Sequence, residues 1–86
     1  MQEINITISG QDINQEQAQK LARILAEQEN PETMIISRFN RIADACSPCC
    51  LKGNIGEKPG WQVYGENHGG RKIINVNNGE YVFIFS

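Results

Sequence analysis

Eighty-six residues with a formal charge of −2 allow one domain around one core, because a chain this short hides only about 60 to 65% of its unfolded surface. Apolar residues at 40% and charged ones at 21% match ordinary globular usage, so the chain is expected to fold without help. The balance excludes a basic nucleic-acid footprint, and the longest purely apolar run, Val82 to Phe85, falls far short of the roughly 20 residues of a membrane-spanning helix. Residues 1–37 carry six acids against Lys20 and Arg23, so the acidic charge sits in the first half. The start MQEINITISG has no basic n-region and no apolar core of a secretory signal, which makes the cytoplasm the expected compartment.

Ile4, Ile6 and Ile8 alternate with Asn5, Thr7 and Ser9, the period of a strand with one buried face, and Gly10 breaks it. Asp12 and Asn14 are good helix N-caps, and Ala18, Leu21, Ala22 and Leu25 follow at helical spacing, which predicts one amphipathic helix ending at Asn30-Pro31. Thr33 to Ser37 (TMIIS) is apolar without alternation and too short for a helix, as expected of a central strand covered on both faces. Residues 38–60 read as one long cysteine-containing loop: Phe39, Ile42 and Ala43 could form a helical turn, while Gly53, Gly56 and Pro59-Gly60 punctuate the remainder.

Trp61 to Tyr64 is predicted as a short strand, Glu66 to Gly70 as a glycine-rich turn between strands, and Lys72 to Val76 and Tyr81 to Phe85 as a closing hairpin. Asn78-Gly79 supports that hairpin because both residues tolerate the positive φ of tight turns. The predicted fold is α+β: a single domain over 1–86, a two-layer sandwich with one main helix on a mostly antiparallel four- to five-stranded sheet, in the order β-α-β-loop-β-β-β. One helix covers only one face of such a sheet. In YVFIF both alternating sets are apolar, so the second face would need the cysteine loop or another copy of the chain as cover. That argument predicts a homodimer, or docking of another protein, with no nucleic acid and no membrane as partner.

All three cysteines fall within Cys46-Ser47-Pro48-Cys49-Cys50. C-x2-C spacing can bring two thiolates to one tetrahedral zinc ion, with His68 as third ligand and Cys50 or Asp44 as fourth. Adjacent cysteines rarely aim at one ion, and no second pair exists. Redox use of the pair lacks the long helix such a motif normally opens. Packing of the cysteines as small hydrophobes is the preferred reading, and no cofactor is expected apart from zinc under the alternative.

Asn67-His68-Gly69-Gly70-Arg71-Lys72 sets two glycines beside cations and an imidazole, a composition able to turn amides toward an anion. A ligand site there would use His68, Arg71 and Asp44, with Trp61 as a wall or interface anchor. Parts for catalysis are scarce: one histidine, no paired carboxylate motif and no cofactor fingerprint. The sequence therefore points to a small non-enzymatic binding or interaction domain. A zinc-stabilised or thiol-reactive module is the alternative.

Overall fold

A computed structural model describes residues 1–47 and 54–86. Its elements are β1 (Gln2–Ile6), α1 (Gln15–Glu29), β2 (Ile35–Asn40), β3 (Ala45–Ser47), β4 (Asn54–Ile55), β5 (Lys58–Pro59), α2 (Gly60–Asn67), β6 (Lys72–Val76) and β7 (Tyr81–Phe85). Five strands form the main sheet in the order β1-β6-β7-β2-β3, and β4 and β5 make a small separate ribbon. Only β1 and β6 are parallel; β6–β7, β7–β2 and β2–β3 are antiparallel. The α+β class and the mostly antiparallel sheet are as the sequence predicts.

α1 begins where local chemistry dictates. The Asn14 side chain accepts from the Gln17 N–H at 2.8 Å, and the Gln17 side chain accepts from the Asn14 N–H at 3.0 Å, a reciprocal box that occupies two orphan donors. The helix lays Ala18, Ala22 and Ala26, all fully buried, on Ile74, Val76, Tyr81, Phe83 and Phe85. The observed stripe is rotated from the predicted one: Ala26 replaces Leu21, which stays 38% exposed. Alanines let the helix axis approach the sheet closely, so the bulk of this core comes from the strands.

The last hairpin follows its predicted strand limits. Its loop has four residues, with left-handed φ at Asn77 (52°), Asn78 (57°) and Gly79 (82°) and the Glu80 N–H donating to the Asn77 carbonyl at 3.2 Å. Asparagine and glycine are the residues that tolerate this run. Asn77 also ties down the chain after β1, its side-chain oxygen accepting from the Ile8 N–H at 2.8 Å.

Three expectations are corrected. Residues 61–64 are helical, within α2, so the glycine turn links a helix to β6 instead of two strands. Residues 38–60 are not one loop: β2 runs on to Asn40, a tight turn through Asp44 (φ 49°) returns the chain as β3, and the β4–β5 ribbon precedes α2. The second sheet face is not bare either. An ideal Cβ on Gly65 would lie 2.6 Å from Ile84 Cδ1, and one on Gly70 2.7 Å from Ile84 Cγ2, so α2 rests directly on that face. What fails is the expectation of one main helix: a second helix, α2, covers part of the face that α1 leaves, and all five β7 residues are buried within the chain itself.

Candidate functional site

Strand register decides which side chains share the α2 side. Ile73 pairs with Ile84, Asn75 with Val82, and Phe39 with both Val82 and Cys46, and directly opposed residues lie on the same face. Glu3 and Asn5 of β1 stand opposite Ile73 and Asn75. α2 roofs only the end near Ile84 and Ser37, where Gly65 approaches both. The rest of that face is an open groove of about 430 Å³, with Phe39, Ile73 and Val82 as its apolar floor, Trp61 on one wall, and Glu3, Gln62, Glu66 and Asn75 around the rim.

Trp61 is held from two sides. Its ring stacks on Phe39 at 5.3 Å between centroids and 7° between planes, and its carbonyl accepts from the buried Ser37 hydroxyl at 3.0 Å. This hydroxyl joins the first turn of α2 to β2, and because Ser37 is buried, losing the bond would leave its donor unpaired at a cost. The rim is ordered as well. Asn75 Nδ2 donates to Glu3 Oε1 at 3.3 Å and to Asn5 Oδ1 at 3.1 Å, while Lys58 Nζ reaches both Glu66 oxygens at 2.8 and 3.2 Å. Acceptor oxygens therefore dominate one rim of an aromatic and aliphatic trough.

The residues singled out from the sequence do not converge. Trp61 lines the groove, and Cys46, half-buried, lies on the same face across from Phe39. Asp44 sits in the β2–β3 turn at the end of the sheet where Arg41 N–H meets the Glu80 carbonyl. Arg71 stands at the other end, its N–H on the Phe85 carbonyl, about 13 Å away along the five residues of β7. His68 is exposed beyond α2, stacked on Tyr64 at 3.9 Å with Nδ1 on the Tyr64 carbonyl at 2.8 Å. An anion site joining His68, Arg71 and Asp44 is thus not assembled. Cys49 and Cys50 lie outside the described residues, and among the described residues no group of three His, Cys, Asp or Glu side chains could hold a metal ion. No helix among the described residues is long and apolar enough to cross a membrane.

Glu3, Ile73, Asn75 and Val82 were not singled out as site residues from the sequence. They come from three strands and reach the groove only through the β1-β6-β7 order; their one sequence signal is that Glu3, Asn5 and Asn75 put polar groups on alternating strand positions.

No curated protein matches the chain. The crystal structure of a novel protein, AF1514, from Archeoglobus fulgidus DSM 4304 superposes with a TM-score of 0.80 at 28% sequence identity, covering 100% of this chain and 93% of that one. With residues 1–85 matching its family model, the chain belongs to the family described as a domain of unknown function, DUF5619.

Proposed function

We propose that the protein is a non-enzymatic binding domain whose ligand seats in the groove beside α2. The observation that carries this reading is the half-roofed sheet face: α2 leaves Phe39, Ile73 and Val82 under an open trough while Trp61 is fixed over its edge. Binding pockets commonly combine an apolar lining with a few placed polar groups. Here the polar groups on the β1 side are the Glu3 and Asn5 oxygens gathered by Asn75. A fitting ligand has a flat apolar or aromatic body and hydrogen-bond donors on one edge.

Trp61 is the sole tryptophan of the chain, so its emission reports on the groove alone. A screen of aromatic amines and amides, followed by both Trp61 fluorescence and amide chemical shifts, is the test. Saturable binding that shifts Ile73, Asn75 and Val82 together with Trp61, and that is lost in Trp61→Ala, supports the reading. Hits that map elsewhere, or a groove that takes no ligand of this class, overturn it.

Self-association no longer follows from an exposed second face, since α1 and α2 each cover part of the sheet. A second copy competing for the same groove would appear in the same experiment as concentration-dependent shifts of those residues without added ligand.

A further inference from the structure

We propose a second, separate site: the cleft between α1 and β2 binds a phosphate-class oxyanion. α1 lies over β6 and β7, and Gln15, Gln19 and Arg23, four residues apart, form a polar rail along its edge on the β2 side, the spacing that keeps side chains in one row. Gln15 meets Asn40, Gln19 meets Arg38, and the Arg23 guanidinium lies 5.6 Å over the Phe85 ring. Outside this rail opens a cavity of about 450 Å³, lined by Gln15, Glu16, Gln19, Lys20, Arg23 and Arg38.

The hydrogen bonds within the rail fix what the cleft has left to offer. Arg38 can only donate, so its 3.1 Å bond to Gln19 uses the Gln19 oxygen and leaves that amide's NH2. Asn40 Oδ1 already accepts from the Ala43 N–H at 3.2 Å, so its Nδ2 is the donor to Gln15 Oε1 at 3.0 Å, which leaves the Gln15 NH2 as well. Each of these two amide oxygens thus has one of its two lone pairs occupied, and both amide NH2 groups remain as donors. Lys20 pairs with Glu16 at 3.5 Å, and Arg23 reaches Glu27 only at 4.0 Å. Among the described residues Arg38 has no carboxylate partner, although it is half-buried.

A cleft in which two guanidinium groups keep further N–H donors beside two amide NH2 groups, and whose one lining carboxylate is engaged, is complementary to an acceptor-rich anion. Guanidinium forks match phosphate oxygens in pairs. These donors outnumber what the two oxygens of a carboxylate would engage, whereas the three terminal oxygens of a phosphate can serve them.

The test is a titration of the isotope-labelled chain with inorganic phosphate, pyrophosphate and phenyl phosphate at fixed ionic strength. Saturable shifts of the Gln15 and Gln19 side-chain amides and of the Arg23 and Arg38 guanidinium signals are expected. Preference for phenyl phosphate over the inorganic ions would place the ligand among phosphate esters; the reverse would place it among free phosphates. Arg38→Gln and, separately, Arg23→Gln should each weaken binding by about tenfold, and Gln19→Glu, which supplies a carboxylate to Arg38 from within, should do the same. Arg71→Gln removes an equal charge from an exposed site outside the cleft and should change affinity by less than about twofold. Unsaturable drift spread over the surface, or an equal loss in Arg71→Gln and Arg38→Gln, would overturn the proposal.

Discussion

Ile84 Cδ1 occupies the space that a Cβ on Gly65 would need, at 2.6 Å, and Ile84 Cγ2 lies 2.9 Å from the same point. The glycine is what lets α2 descend onto the sheet, and the height of α2 sets the depth of the groove next to it. Gly65→Ala should therefore destabilise the fold by about 1 to 3 kcal/mol through overpacking. Ile84→Val removes Cδ1 and alone should cost about 1 kcal/mol. In the double variant the clash is relieved in part, so urea unfolding should give a total loss smaller than the sum of the two, by about 0.5 kcal/mol or more. Strict additivity would show that Gly65 does not seat the helix.

Ser37 is nearly fully buried, and its hydroxyl is the polar tie between β2 and the first turn of α2. Ser37→Ala should cost about 1 kcal/mol. Loosening of Trp61 from Phe39 should accompany it, read as a red shift of tryptophan emission in the folded state.

Lys72 combines a position on the α1 face with a buried stem. Its Nζ lies 3.4 Å from the Ala26 carbonyl in the last turns of α1 and 3.4 Å from Glu29 Oε2. A cation there complements the helix C-terminus, where α1 has no basic residue of its own in the last turn. Lys72→Ala should cost about 2 kcal/mol, through the lost packing of the stem and the carbonyl left with less compensation. Glu29→Gln should cost much less, because that carboxylate is 58% exposed and its pairing is weakened by water. A chemical-denaturation comparison of the two separates helix-end stabilisation from the ion pair.

The capping box at Asn14 supplies a fourth check. Asn14→Ala should lower stability by about 1 kcal/mol and raise amide exchange in the first turn of α1, which carries Gln15 and hence one wall of the oxyanion cleft. Phosphate affinity should fall with it.

The cysteine cluster is settled by native mass spectrometry with Cys46→Ser alongside. Under the groove reading the purified chain carries no stoichiometric zinc, and the substitution changes stability by about 1 kcal/mol with no effect on ligand binding. One metal per chain, lost in the variant, would establish the thiol-centred alternative instead.

Periodicity and turn chemistry in the sequence were enough to determine α1, β6 and β7, including both limits of the last two strands, since these elements rest on local signals: a capping side chain, apolar residues at helical spacing, and asparagine and glycine where φ must be positive. α2 was decided by tertiary structure. GWQVYGEN has no capping side chain, two glycines and a mix of aromatic and β-branched residues, so its intrinsic preference is weak and reads as readily for a strand. It is helical because Gly65 and Gly70 can meet Ile84 without a clash and Ser37 holds its first turn, contacts that span 14 to 24 residues of sequence. The groove and the cleft were illegible for the same reason. Each is assembled from elements far apart in the chain, and a sequence shows which groups exist but not which of their donors and acceptors remain unspent once neighbours have been brought together.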